Sequence, residues 1–183
     1  MYKQNNIDID RNTAMLMLSA IISDTLLFKS PTCTKEDKEI AEKLGGITGI
    51  NIEEYGLAML KAGTDLSDLS AEELIVLDAK EFTLKDTVKS IIAQVNTASI
   101  PDMLKRKEEI EKAMNKKIKE ENLDLFFLAI TDIINSNSQV IALGNYANIV
   151  EKSYDVKLED NTAFLPDIVS RKKQIIPVLT KNV

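Results

Sequence analysis

Histidine is absent from all 183 residues, which removes His-dependent triads, His general bases and His metal ligands from this polypeptide. There is one cysteine, Cys33, so neither a disulfide framework nor a zinc site of two or four cysteines can be built from this chain alone. Lys29 and Lys35 are the only cations near Cys33, and it reads as a structural thiol rather than a nucleophile. Proline (four) and glycine (six) are scarce, and 44% hydrophobic with 28% charged residues is the balance of a folded chain, not of a disordered or low-complexity one. Positive charge is in deficit, with a net charge of −6, which disfavours a generic phosphate-coating nucleic-acid binder and makes any anion site local. The longest apolar stretch, 14–28, contains Ser19, Ser23, Asp24 and Thr25 and falls short of the roughly 20 residues of a membrane span. The N-terminus lacks the basic start and apolar run of a signal peptide, so a cytoplasmic protein without a membrane partner is expected.

What is there reads as an α/β chain. From Asn12 to Phe28 the residues are apolar almost all round, which predicts a helix covered on most sides. Deprived of a partner surface, that helix is expected to promote self-association or local disorder. Thr34 with Asp37, and Asn51 with Glu54, start short helices over 35–44 and 52–62, with Gly45-Gly46 and Gly63 as stops. The polar, turn-forming stretch 63–70 marks a domain boundary, and Ser70 with Glu73 opens a helix over 71–77. Beyond it the pattern predicts extended segments at 81–84 and 88–97 and a long charged helix from Pro101. A central hairpin of Leu125–Ile130 and Gln139–Leu143 follows, then a helix over 146–154 and a final edge strand over 174–179.

Four places could carry chemistry. A buried Asp24 in Ser23-Asp24-Thr25 would need compensation, either as a helix-terminal cap bonded to its neighbours or as a metal ligand whose partners come from elsewhere. Ser170-Arg171-Lys172-Lys173-Gln174 holds a run of three consecutive cations, either a solvated turn or a phosphate clamp in which Arg supplies a fork of donors and Lys a point charge. Lys80 stands between Asp78 and Glu81, in local salt bridges or as part of such a clamp. Asp132 ends an apolar run, where turn capping outweighs a functional role.

Taken together, Leu18–Thr34 with its Ser-Asp-Thr, Glu54–Leu57, Asp78-Ala79-Lys80-Glu81-Phe82, Ala93-Gln94-Val95-Asn96-Thr97 and Ser170-Arg171-Lys172-Lys173-Gln174 resemble the family II, manganese-dependent inorganic pyrophosphatases of the DHH phosphoesterase superfamily. The resemblance runs from about residue 14 to 180. It implies a helical remnant of a metal-binding domain over 1–63, a linker over 64–70, and a substrate-binding, DHH-associated domain over 71–183 with a mixed sheet of about five strands flanked by helices. It assigns Asp24 to a dinuclear Mn²⁺ centre, with Mg²⁺ as the alternative metal, and pyrophosphate binding to Lys80, Arg171 and Lys172. The catalytic residues of the family fall outside this chain. Its His-x-x-x-Asp-x-Asp stretch and Asp-His-His signature have no counterpart here, so the chain resembles the C-terminal portion of a homodimeric cytoplasmic parent, with Met1 an internal methionine or a cloning start. Two other readings stay open: a non-catalytic phosphate-binding or regulatory module using only the basic cluster, and another phosphoesterase of the same superfamily.

Overall fold

The computed structural model describes residues 8–183, which divide after Gly63 into two compact units. The first is three helices: α1 (Arg11–Thr25), α2 (Lys35–Thr48) and α3 (Ile52–Ala62). Each starts on a side-chain cap, from Asp10, Thr34 and Asn51 respectively, which supplies acceptors for otherwise orphaned backbone N–H groups. Ala14, Leu18 and Ile22 of α1 pack against Ala41 and Leu44 of α2. The expected helix is present, but only one stripe of it is covered: Leu16 is 73% exposed.

The expected stop at Gly45-Gly46 is not where α2 ends. A Cβ on Gly45 would lie 2.7 Å from Cδ1 of Ile52, so this glycine is a seat for a neighbouring side chain inside the helix. The stop falls on Gly49, whose φ of +69° permits the left-handed cap and a bond from its N–H to the Gly45 carbonyl at 2.8 Å.

The second unit is a five-stranded sheet between two helical layers. Its strands are β1 (Ala79–Leu84), β2 (Val88–Thr97), β3 (Leu125–Asp132), β4 (Asn137–Leu143) and β5 (Thr162–Leu165), and they lie side by side in that order. Only β2 and β3 run parallel, joined across a crossover containing α5 (Ile100–Leu104) and α6 (Lys107–Glu121). All eight residues of β3 are buried, as a central strand covered on both faces requires. On one face Ile91, Phe126 and Leu128 meet Met103, Ile110 and Met114 of the crossover helices, and Leu74 of α4 (Ala71–Leu74). On the other, Ile92, Phe127 and Val140 meet Ile149 and Val150 of α7 (Ile149–Tyr154), and Ile175 and Leu179.

The mixed sheet of five strands is as expected, but not all of its members are. The final strand predicted over 174–179 is helical: a π-helical turn (Arg171–Ile175) runs into α8 (Ile176–Asn182). Its β-branched composition mimics a strand, yet Ile175 and Leu179, four residues apart, are both fully buried, and Pro177 is tolerated in a first helical turn. The fifth strand is instead the four-residue β5, too short to announce itself by periodicity. The long charged helix predicted from Pro101 breaks around Arg106, whose guanidinium donates to the carbonyls of Leu66 (3.1 Å) and Leu69 (2.7 Å). Those two residues belong to the polar stretch 64–70, which lies within the second unit. Among the described residues no helix is long and apolar enough to cross a membrane.

Two capping boxes give a pH dependence. Bonds from the Thr34 backbone and hydroxyl hold the Asp37 carboxyl below its usual range, and the same groups of Ser70 do so for Glu73. A carboxyl depressed in the folded state stabilises it above the unfolded pKa and loses that contribution as pH falls through the folded value. The difference in thermal midpoint between wild type and Asp37→Asn, followed by circular dichroism, is therefore expected to be present at pH 7 and to be lost as pH falls through the depressed folded-state value. A difference that persists in acid would contradict this origin.

Candidate functional site

Arg171 begins the π-helical turn, with Ser170 as its N-cap. Backbone bonds reach the Ser170 carbonyl from Gln174 N (2.8 Å) and Ile175 N (3.2 Å), the widened register often found at functional positions. The guanidinium turns back onto the sheet. Nη1 donates to the carbonyls of Asp78 and Ile92, and Nη2 donates to Oδ1 of Asp78 at 2.8 Å. The Arg171 side chain is 11% exposed and that of Asp78 56% exposed. Ile92 is the direct cross-strand partner of Lys80, so Arg171 and Lys80 meet at the β1–β2 pair. Lys80 shares the alternation of Phe82 and Leu84, which pack on the α7/α8 side of the sheet. Lys80 and Lys172 are both exposed.

The structure thus replaces local salt bridging around Lys80 with a long-range one: Asp78 pairs with Arg171, 93 positions away. It also moves the basic run from the mouth of a strand to the first turn of a helix.

Two glutamines that the sequence patterns contain, without signalling a role, hold the turn in place. Gln94 donates through Nε2 to Thr131 Oγ1 and to the Val169 carbonyl, both at 3.0 Å, and accepts from the Arg171 N–H at 3.2 Å. Gln174 accepts from the N–H groups of Val169 and Ser170 at 3.0 Å and donates to the Asp167 carbonyl at 2.7 Å. Tyr154 donates its hydroxyl to the Gln174 carbonyl at 3.0 Å, and burial pushes that phenol well above its usual pKa, keeping the proton in place. The signal in the sequence was an amide at Gln94 set between the apolar Ile91-Ile92-Ala93 and Val95, where it needs partners.

Asp24 lies in the first unit, in the last turn of α1, and is exposed rather than buried. The compensation a buried carboxylate would demand is therefore not needed. The chain next passes through three consecutive residues of positive φ, Leu26 (48°), Leu27 (52°) and Phe28 (66°). Backbone bonds from Leu27 N to Ile22 O (3.0 Å) and from Ser30 N to Thr25 O (2.9 Å) brace the turn. Among the described residues no group of three or more His, Cys, Asp or Glu could hold a metal ion. One carboxylate leaves most of the coordination sphere of a six-coordinate cation unfilled, so these residues do not by themselves fit a dinuclear manganese centre.

Asp132 is a turn cap, as expected: Oδ1 accepts from Ile134 N (2.8 Å) and Asn135 N (3.0 Å), and Oδ2 from Asn135 Nδ2 (2.8 Å). Cys33 is half-buried, with its thiol on the Thr34 carbonyl.

Residues 57–182 match the DHHA2 domain family. A protein of Bacillus subtilis named manganese-dependent inorganic pyrophosphatase is 58% identical over 180 residues, which are 98% of this chain and 58% of that protein. A solved structure from Methanococcus jannaschii, assigned to the family II inorganic pyrophosphatases, superposes with a TM-score of 0.84 at 43% identity, covering 96% of this chain and 57% of that one. The chain thus spans less than three fifths of the length of these relatives.

Proposed function

This chain belongs to the DHHA2 domain family, and from that membership we propose that it is the C-terminal portion of a manganese-dependent inorganic pyrophosphatase, carrying the half of the active site that grips the substrate. Family members of this similarity bear that name, and they are longer than this chain, which leaves room for a metal-binding part. The observation that carries the reading is electrostatic. Arg171, Lys172 and Lys173 occupy the first turn of a helix, the end at which the backbone dipole already presents partial positive charge. Cations there are unfavourable unless countered by negative charge; Asp78 supplies it for Arg171, and a phosphate group would supply it for the exposed Lys172.

In this reading Arg171 presents a planar fork to one phosphate, while Lys80 and Lys172 act as mobile point charges on the other oxygens. Pyrophosphate and water give two phosphates, and positive charge on the leaving phosphate's oxygens lowers the barrier as the bridging P–O bond breaks. Asp24 would contribute one carboxylate oxygen to the metal centre of the parent. The stretch 64–70 would be the linker between the metal-binding part, 1–63, and the substrate-binding part, 71–183. A homodimeric parent in the cytoplasm belongs to the same proposal, on the strength of the family resemblance.

Calorimetric titration with imidodiphosphate, whose P–N–P bridge resists hydrolysis, tests it at about 0.15 M salt. The wild-type chain is expected to bind saturably and the Arg171→Ala/Lys172→Ala variant not to bind. No binding by wild type would refute a preformed substrate half. A non-catalytic anion-binding module is the second reading, favoured by the absence of a metal cluster among the described residues. Pyrophosphate hydrolysis by the full-length parent separates the two, because Arg171→Ala lowers kcat/KM only if this site serves the reaction.

A further inference from the structure

We propose that Asp78 is a positioning residue for the anion site, fixing which edge of the Arg171 guanidinium is offered to substrate; this rests on the reading of the basic turn as a pyrophosphate site. A guanidinium has five N–H donors. Three are taken within the protein: two on Nη1, by the Asp78 and Ile92 carbonyls, and one on Nη2, by Oδ1 of Asp78. Because Nη1 and Nη2 reach the same residue, the inner edge of the fork is the one held. The two remaining donors, Nε–H and the second Nη2–H, form the outer edge, which makes no hydrogen bond among the described residues. That edge is the geometry for a bidentate contact with two phosphate oxygens.

Asp78 is a costly choice if charge alone mattered. A half-exposed carboxylate two positions from Lys80 and bonded to Arg171 repels a polyanion and competes with it for the same cation. Its presence is explained by order. A free arginine side chain loses rotamer freedom on being fixed, and the Asp78 clamp removes that freedom before the ligand arrives. The backbone is fixed as well, since Gln94 holds the Arg171 N–H, so both ends of the residue are set and only the outer edge is left to act.

Two opposed outcomes follow for one substitution. If Asp78 positions Arg171, Asp78→Ala weakens imidodiphosphate binding about tenfold, the equivalent of one charge-assisted hydrogen bond's worth of order. Asp78→Asn keeps an Oδ1 acceptor and removes the repulsive charge, so it binds as tightly as wild type or more tightly. If Asp78 is only a competitor, both variants bind more tightly, and the proposal is overturned; equal affinity in all three proteins overturns it too. A readout without ligand accompanies the titration: nitrogen-15 NMR of the guanidinium, which reports rotation about Cζ–Nη2 of Arg171. That rotation is expected to be hindered in wild type and Asp78→Asn and at least about tenfold faster in Asp78→Ala; equal rates would overturn the clamp. Matching thermal melts confirm that the variants fold, and Asp78→Ser carries the same expectations should the alanine variant not fold. Absence of binding by wild type, with rotation still hindered, removes the pyrophosphate reading and this inference with it. Binding by wild type with no loss in Asp78→Ala removes this inference alone.

Discussion

Arg171→Ala is expected to weaken imidodiphosphate binding to this chain by at least about a hundredfold, while Lys173→Ala changes it by less than about threefold. The difference rests on how the two residues are held. Arg171 is almost enclosed, its inner edge fastened to Asp78 and Ile92, so it offers two parallel donors at little further entropic cost. Two charge-assisted bonds at about 1.5 to 3 kcal/mol each exceed a factor of a hundred. Lys173 lies in the same turn, but the family resemblance gives the contacts to Arg171 and Lys172 and none to Lys173, and an uncontacted ammonium in salt contributes little to binding. Arg171→Lys discriminates further: it keeps the charge and loses the fork, and is expected to recover only a small part of the affinity. Calorimetry on the four proteins checks the series. Equal losses from Arg171→Ala and Lys173→Ala would mean that the anion sees a diffuse patch of charge rather than a built site.

The second large effect is expected in the fold itself. Gly144 closes the end of β4 with φ of +108°, and a Cβ there would stand 2.4 Å from the Asp124 carbonyl oxygen and 3.2 Å from Cα of Leu125. Neither neighbour can yield. The Asp124 carbonyl accepts from Tyr146 N at 3.1 Å, the Asp124 amide donates to the Lys89 carbonyl at 2.8 Å, and Leu125 begins the fully buried central strand. Gly144→Ala therefore combines a disallowed backbone angle with a backbone clash, and a loss of about 3 to 5 kcal/mol is expected. For a unit of this size that lowers the thermal midpoint by roughly 10 to 20 °C. Gly46→Ala is the matched control. It lies inside α2 with no atom within 4 Å of the added Cβ, and it should stabilise by about 0.5 to 1 kcal/mol. Circular dichroism melts of the two variants decide the matter, and a Gly144→Ala midpoint within about 5 °C of wild type would show that the turn can relax.

These two positions mark the limits of what could be seen in the residues alone. Continuous apolar runs located the β3–β4 hairpin, because strands buried on both faces leave little alternative reading. The boundaries of α3 followed from Asn51 and Gly63. Glycine as punctuation failed at Gly45, where the reason for glycine is the nearness of Ile52, a fact of packing between helices. Helix and strand could not be told apart over 174–179, since a short run of Ile and Val satisfies both periods. β5 was missed because four residues carry almost no pattern.

Within the candidate site the charged residues were visible as charge, but not what holds them. Asp78 looked like a neighbour of Lys80 and is a partner of Arg171. Gln94 looked like one polar position on a strand and ties three segments together. Asp24 was read as buried because its neighbours in sequence are apolar, whereas the helix turns that position outward. For Asp78 and Gln94 the deciding contact joins residues far apart along the chain, to which periodicity and capping rules are blind.

The span of the clamp has a consequence for biosynthesis. The helices of the first unit meet mainly through contacts between neighbours in sequence, which form fast, and the β1–β4 strands are all made by residue 143. Arg171 must still find Asp78 across 93 positions and Gln94 across 77. At translation rates of about 5 to 20 residues per second, a nascent chain spends seconds with both arms of the clamp exposed and no basic turn to close on. The turn that carries Arg171 thus closes on Asp78 and Gln94 only after the whole of the β1–β4 sheet has been made.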